Sequence, residues 1–126
     1  MIVAIAVDQD GAAGQGWGRA ARVAVARVGD AGIESWTEHD TRWDVLHDEG
    51  SEGGHHARIA RFLTGQAVEV VVAGHMGPPM VQMLGRMGIR VWLHDGIDAR
   101  AAVVAAGRTA SGGQRLLGWQ DKHLDP

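Results

Sequence analysis

The stretch VVVAGHMGPPM, residues 70–80, runs from a block of valines into glycine, histidine, methionine and two prolines. The valines belong to a predicted strand over residues 68–73, whose nearly continuous β-branched residues are typical of a strand buried on both faces. A helix is expected to begin near Pro78 and to run to residue 86 or 87, because proline is favoured at the first helical position. Another strand follows in IRVWLH, residues 89–94. The stretch therefore predicts a strand–helix–strand unit.

Strand and helix continue to alternate after this unit. Asp98 is a favourable N-cap for a helix in ARAAVVAA, which we expect to end at Gly107. Strands and helices in this order produce right-handed crossovers between parallel strands. The back half of the chain therefore predicts parallel βαβα units.

The front half predicts antiparallel strands instead. IVAIAV (2–7) is an apolar run typical of a central strand. ARVAVARV (21–28) and IESWTEH (33–39) flank the turn residues at 29–32 and predict a hairpin. We therefore expect an α/β fold whose mixed sheet has an antiparallel front hairpin followed by parallel βαβα units.

The segment DTRWDVLHDEGSEGG, residues 40–54, is acidic, polar and rich in glycine. This composition predicts a long surface loop, with solvated histidines at positions 39 and 47. Trp43 lies in the same segment, where it is expected to fold over a bound ligand as a lid.

After this segment, the spacing of the apolar residues changes to the period of a helix. In HHARIARFL, residues 55–63, the apolar residues Ile59, Phe62 and Leu63 share one helical face, and Gly65 is expected to end the helix.

The composition excludes several classes of protein. The chain has 126 residues, a length typical of one domain, and its net charge of -3 with both signs interspersed argues against nucleic acid and a membrane surface as partners. No cysteine is present, which excludes thiolate ligands and thiol nucleophiles. No segment approaches the roughly 20 apolar residues of a membrane span. We expect a cytoplasmic protein that is a monomer or a weak homodimer.

The loop after strand 68–73 is the first candidate for function, because open α/β sheets bind ligands at the carboxyl ends of their parallel strands. His75 and Met76 lie in this loop. A helix N-terminus attracts anions through free N–H groups, but the prolines at 78 and 79 have none. Any anion contact would therefore depend on His75, Met76 and Gly77.

Metal binding is another use for this loop. Imidazole and thioether groups suit soft or borderline metals such as copper(I), and imidazole also suits iron. His55 and His56 flank the apolar helical face at its N-terminal end, so their rings are expected to reach the same sheet edge as His75. Because the chain has no thiolate, a metal bound here would be held by few, exchangeable ligands.

The sequence also predicts individual roles for several other residues. The methionines at 80, 83 and 87 have helical spacing and are expected to fill the core rather than bind metal. Arg19 is expected to meet an anionic ligand, whereas Asp8 either hydrogen-bonds the site or caps a turn. His94 and Asp95 are expected to form a satisfied pair, and His123 has no predicted catalytic role.

The order of these segments resembles the dinitrogenase iron–molybdenum cofactor biosynthesis family, in particular its NifX-like and NifB C-terminal-like domains. The resemblance covers about residues 1–106, in IVAIAVDQD, GWGRA, GGHHARIARFL and VEVVVAGHMGPPMVQMLGRMGIRVW. Its most specific part is an A-G-x-x-G-P segment at 73–78 followed by G-I-x-V at 88–91. The resemblance implies a ribonuclease H-like fold and a cluster-binding domain over residues 1–107. Residues 108–126 would be a tail that is partly disordered.

The family also implies a function that is not catalytic. Its members bind or carry iron–sulfur or molybdenum-containing clusters during cofactor assembly, so metallocluster donor and acceptor proteins are the expected partners. The expected cargo is an iron–sulfur or iron–molybdenum type of cluster, or one that contains copper. The predicted metal ligands are His55, His56 and His75, and the predicted cofactor-binding residues are Asp8, Trp17, Arg19, Gly74, Met76 and Gly77.

One segment departs from the family pattern. Many members have a histidine in an H-F-G-R-A segment, where this chain has Gly16-Trp17-Gly18-Arg19-Ala20. The ligand role of that histidine is therefore not carried over.

Three other functions compete with cluster binding. A nuclease would need several carboxylates around two metal ions, and Asp8 and Asp10 supply only part of such a set. A dinucleotide enzyme would need a helix directly after GAAGQGWG, residues 11–18, and none is predicted there. The remaining alternative is a metal-free regulatory or protein-interaction domain on the same fold.

Overall fold

The computed structural model describes residues 1–14, 16–94, 96–111 and 119–120. Its strands are β1 (Ile2–Val7), β2 (Arg22–Gly29), β3 (Gly32–His39), β4 (Val70–Ala73), β5 (Arg90–Leu93) and β6 (Trp119–Gln120). They form one sheet in the order β3-β2-β1-β4-β5-β6. β2 pairs antiparallel with β1 and β3, whereas β4 pairs in parallel with β1 and β5. The predicted mixed α/β fold, with its antiparallel hairpin and parallel units, is confirmed.

The described ranges contain four helices: α1 (Trp43–Leu46), α2 (Glu52–Gly65), α3 (Pro78–Arg86) and α4 (Ala99–Ser111). α3 begins as predicted, with the two prolines in its first turn and Gly77 as N-cap. The Asp98 cap is also confirmed, since its Oδ1 accepts a hydrogen bond from the Ala101 N–H at 3.0 Å. No helix in the described ranges has the length and apolar character needed to cross a membrane.

Each face of the sheet carries its own apolar cluster. On one face, Ile59 and Leu63 of α2 and Leu84 of α3 are completely buried. On the other face, Ala102 and Val103 of α4 are equally buried. β4 lies between the two clusters, and all four of its residues are buried. Its run of valines therefore indicates burial on both faces correctly.

The segment 40–54 is not the surface loop that its composition predicts. It contains α1, and α2 begins at Glu52, before the predicted start at His55. The Ser51 side chain caps α2 by accepting a hydrogen bond from the Gly54 N–H at 3.0 Å. This cap contributes about 1 kcal/mol, which helps to offset the weak helix propensity of the two glycines in the first turn.

α4 continues to Ser111, past its predicted end at Gly107. Gly107 is buried, and a Cβ atom at this position would lie 2.8 Å from Cγ1 of Val28. The glycine therefore allows α4 to lie close against β2, and it does not end the helix.

The predicted tail begins inside α4. Its residues Trp119–Gln120 form a short strand, β6, that pairs antiparallel with β5. Residues 112–118 and 121–126, which include His123, lie outside the described residues. Partial disorder of the tail and the domain boundary at 107 stay predictions.

Candidate functional site

A cavity of about 290 Å³ lies beside the carboxyl end of β4. Three segments surround it: the GWGRA segment (16–20), the region around the start of α2, and the loop that leads into α3. A backbone bridge between Gly16 and His75 joins the first and last of these segments. The residues that line this cavity, named here the histidine cavity, are Gly16, Trp17, Gly18, Arg19, His47, Glu52, His55, His56, His75, Met76, Gly77, Pro79 and Met80.

All three predicted histidine ligands line the histidine cavity. The crossover between parallel strands explains this placement, because the loop after β4 and the start of α2 reach the same edge of the sheet. Their environments nevertheless differ. His75 is exposed, His56 is half-buried, and His55 is 1% exposed.

Both ring nitrogens of His55 have hydrogen-bond partners. Nε2 lies 2.7 Å from the carbonyl oxygen of Gly18, and Nδ1 lies 2.8 Å from Nη1 of Arg58. A carbonyl can only accept and a guanidinium can only donate, so a neutral imidazole protonated on Nε2 satisfies both contacts. Arg58 also donates to the carbonyl oxygen of Leu46 at 3.2 Å. His55 therefore ties α2 to the GWGRA segment and, through Arg58, to α1.

His56 and His75 differ from His55 because neither of their side chains makes a hydrogen bond within the part of the chain that the structure describes. Their lone pairs are free to bind a metal or a cluster. Within the same part of the chain, no group of three or more His, Cys, Asp or Glu residues is arranged to hold a metal ion. The cavity therefore offers separate donors and not a complete metal-binding cage.

His47 is a cavity residue that the sequence interpretation missed. It follows α1 directly, is half-buried, and has its ring centre 5.0 Å from that of His55. Its Nδ1 lies 3.3 Å from Oδ1 of Asp48. The prediction of a solvated loop histidine is wrong, because α1 turns this segment back onto the protein. The spacing of Trp43 and Leu46 was the available signal for that helical turn.

Two methionines lie between the core and the cavity. Met76 is 9% exposed and Met80 is 7% exposed, and both pack in the apolar cluster while lining the histidine cavity. The predicted core role of Met80 is confirmed, and Met83 and Met87 pack against the same cluster. Met76 therefore reaches both the core and the cavity.

Trp17 and Trp43 form a buried pair. Their ring centres are 5.3 Å apart at 75°, and their exposed fractions are 1% and 2%. The prediction of Trp43 as a lid is therefore wrong, since this ring is part of the core. Trp17 lines the histidine cavity as well, and its buried Nε1 has no hydrogen-bond partner among the described residues.

The other predicted binding residues divide into two groups. Arg19 and Gly77 line the histidine cavity, and the Arg19 guanidinium is largely exposed, with Nη2 3.9 Å from Oδ1 of Asp48. Gly74 and Asp8 are not among the residues lining it. The Asp8 Oδ1 accepts hydrogen bonds from the backbone N–H groups of residues 10 and 12, so it has the turn-capping role that the sequence left open.

Two further histidines lie apart from this cavity. His39 is in β3, half-buried, with its ring 5.3 Å from the Phe62 ring, so its prediction as a solvated loop residue is wrong. His94 follows β5, and its Nε2 has no hydrogen-bond partner within the described ranges. The predicted pair of His94 with Asp95 stays untested, since residue 95 lies outside those ranges.

The chain matches the family model for the dinitrogenase iron-molybdenum cofactor over residues 1–108. The chain belongs to this family. The family takes part in biosynthesis of the iron–molybdenum cofactor of dinitrogenase. The suspected family is thereby confirmed. No curated protein matches the chain.

Solved structures share the fold at low sequence identity. The apo form of the orange protein from Desulfovibrio gigas has a TM-score of 0.61 and 22% identity, with 95% of this chain and 96% of that chain covered. A candidate dinitrogenase from Methanocaldococcus jannaschii has a TM-score of 0.61 and 13% identity, covering 94% and 96%. A candidate NifB protein from Thermotoga has a TM-score of 0.55 and 16% identity, covering 99% and 96%. At these identities, the likeness shows the fold.

Proposed function

We propose that this chain binds and carries an iron–sulfur or molybdenum-containing cluster in the histidine cavity, between metallocluster donor and acceptor proteins. One observation carries the proposal: His56, His75 and Met76 come from two separate segments and line the same cavity. Imidazole and thioether donors suit iron and softer metals. Membership of the iron–molybdenum cofactor family supports the choice of cargo.

A carrier must release its cargo, and the donor set suits that requirement. The chain has no cysteine, so it cannot form the strong thiolate bonds that hold a permanent cluster. A cluster that contains its own sulfides needs few protein ligands. His56 and His75 would supply them, and Met76 would offer a weaker thioether contact from the cavity wall.

The remaining cavity residues would support this role. Arg19 places an exposed positive charge at the cavity, where it would favour an anionic cluster. Gly77 and Gly16 have no side chains, so a cluster can approach the backbone at these positions. His55 would bind the cargo directly only after losing one of its two hydrogen bonds, so we assign it the role of holding the GWGRA segment in place.

Two finer features belong to the same proposal. The fold is assigned to the ribonuclease H-like type, supported by the order β3-β2-β1-β4-β5 with antiparallel pairing on one side of β1 and parallel pairing on the other. The function is assigned as carriage without catalysis. Copper is not part of the proposal, because neither the family match nor the fold likeness points to it.

The proposal is tested by anaerobic reconstitution with iron and sulfide, with and without molybdate. We expect the wild-type chain to take up metal and to develop charge-transfer absorption. We expect His56→Ala/His75→Ala to retain less than about a tenth of this uptake, because both free imidazoles are lost. His94→Gln is the matched control, since His94 lies outside the histidine cavity. Equal uptake by the double variant and the wild type would remove the assigned ligands.

A metal-free interaction domain is the second candidate function. It is favoured by Gly16 in the family's histidine position and by the lack of a three-residue metal-binding group in the described part of the chain. No metal uptake by the wild-type chain under any of these conditions would support this candidate over the carrier.

A further inference from the structure

A second cavity, of about 220 Å³, lies on the β2–β3 part of the sheet, away from the residues of the histidine cavity. Val25 and Ile2 form part of its apolar lining, and Gln66 lines it where α2 ends. We name it the β3 cavity. Its polar lining includes Arg27, Ser35 and Thr37.

Strand register brings these polar side chains together. Arg27 pairs with Ser35, and Val25 pairs with Thr37. The side chains of Arg27, Ser35 and Thr37 therefore share one face of the hairpin, where a guanidinium neighbours two hydroxyl groups. His39 lies on the same face of β3, two residues after Thr37, and its buried Nε2 has no hydrogen-bond partner among the described residues.

The two faces of β3 have opposite chemistry. Glu38 lies on the face opposite to Ser35 and Thr37, and its carboxylate is 3.4 Å from Nη1 of Arg22. No carboxylate lines the β3 cavity, and Arg27 makes no ion pair within the ranges described. Arg22 therefore has acidic partners, whereas Arg27 lies beside hydroxyl groups and has no acidic partner among the described residues.

We propose that the β3 cavity binds a small oxyanion. A guanidinium offers N–H donors in a fork that matches oxyanion geometry, and the Ser35 and Thr37 hydroxyls supply further donors. The same lining is poor for a metal ion, because it has neither a carboxylate nor a thiolate. The β3 cavity is independent of the histidine cavity and of the cluster proposal.

The test is a titration of the metal-free chain with phosphate, sulfate and molybdate in separate experiments at constant ionic strength, with chloride as the reference. Calorimetry gives the affinity, and amide NMR shifts give the location. We expect at least one of the three anions to bind and to shift the amide signals of Ser35 and Thr37. The anion that binds most tightly identifies the preferred ligand among the three.

Arg27→Gln should weaken this binding by about tenfold or more, because it removes a charge-assisted hydrogen bond. Arg27 is exposed, so the variant is expected to fold normally. Arg61→Gln, an exposed change on α2 outside both cavities, should bind like the wild type. The proposal is overturned if none of the anions shifts Ser35 and Thr37, or if Arg27→Gln binds as tightly as the wild type.

Discussion

Replacing His55 with alanine is expected to lower the free energy of unfolding by about 2–4 kcal/mol. The imidazole is 1% exposed, and its loss leaves the Gly18 carbonyl and one Arg58 N–H without their partner. An unsatisfied buried polar group costs about 1–3 kcal/mol, and the vacated volume adds a cavity term. Urea unfolding followed by far-ultraviolet circular dichroism measures this loss.

His56→Ala is the matched control. It removes the same kind of side chain from the next position of α2, but His56 is half-buried and has no hydrogen-bond partner among the described residues. We expect a change of less than about 1 kcal/mol. Equal stability losses in the two variants would show that the contacts of His55 do not hold the GWGRA segment. A stable His55→Ala variant with reduced metal uptake would instead return His55 to the role of ligand.

Trp43→Ala is expected to have the largest effect on stability, about 3–5 kcal/mol. The ring is 2% exposed, and its centre lies 5.3 Å from the centre of the Trp17 ring and 5.5 Å from that of the Phe62 ring. Since a domain of ordinary size is stable by only about 5–15 kcal/mol, this loss is a large fraction of the total. Thermal unfolding and near-ultraviolet circular dichroism are the measurements, and we expect a lower melting temperature and a loss of aromatic signal.

Val45→Ala controls for the short helix itself, because Val45 is 48% exposed on α1. Its effect should stay within about 0.5 kcal/mol. If Trp43 were a lid, its removal would leave the stability of the metal-free chain unchanged and would alter only the retention of cargo. That result would contradict the buried position of this ring.

Strands β1 to β5 could be predicted from the sequence because each has a local signal. β4 is a continuous apolar run, β2 and β3 flank turn residues, and the prolines mark the start of α3. These signals act over a few residues and are reinforced by the sheet. They are sufficient for the positions of β1 to β5 and for their parallel or antiparallel direction.

Segment 40–54 shows where local composition fails. Its acidic residues and glycines predict exposure, but Trp43 is drawn into the core by Trp17 and Phe62, which are distant in sequence. The backbone supports this tertiary contact, because the Trp43 N–H donates to the Ala20 carbonyl at 2.9 Å. Tertiary packing therefore overrides a weak local preference, and it carries His47 to the histidine cavity.

The sequence was sufficient to predict which segments form the candidate site. Parallel strand topology places His55, His56 and His75 at one edge, as expected, but the sequence cannot distinguish their roles. The distinction depends on partners that are far away in the chain, such as the Gly18 carbonyl 37 residues before His55. For the same reason, the lack of an acidic partner for Arg27 among the described residues is evident only once β2 and β3 are in register.

The most direct test of cluster binding is nitrogen hyperfine spectroscopy on the reconstituted, reduced chain labelled with 15N-histidine. We expect hyperfine coupling between histidine nitrogen and the cluster in the wild type. We also expect loss of this coupling in His56→Ala/His75→Ala and its retention in His94→Gln. A bound cluster with no histidine nitrogen coupling in the wild type, or with unchanged coupling in the double variant, would show that His56 and His75 are not its ligands.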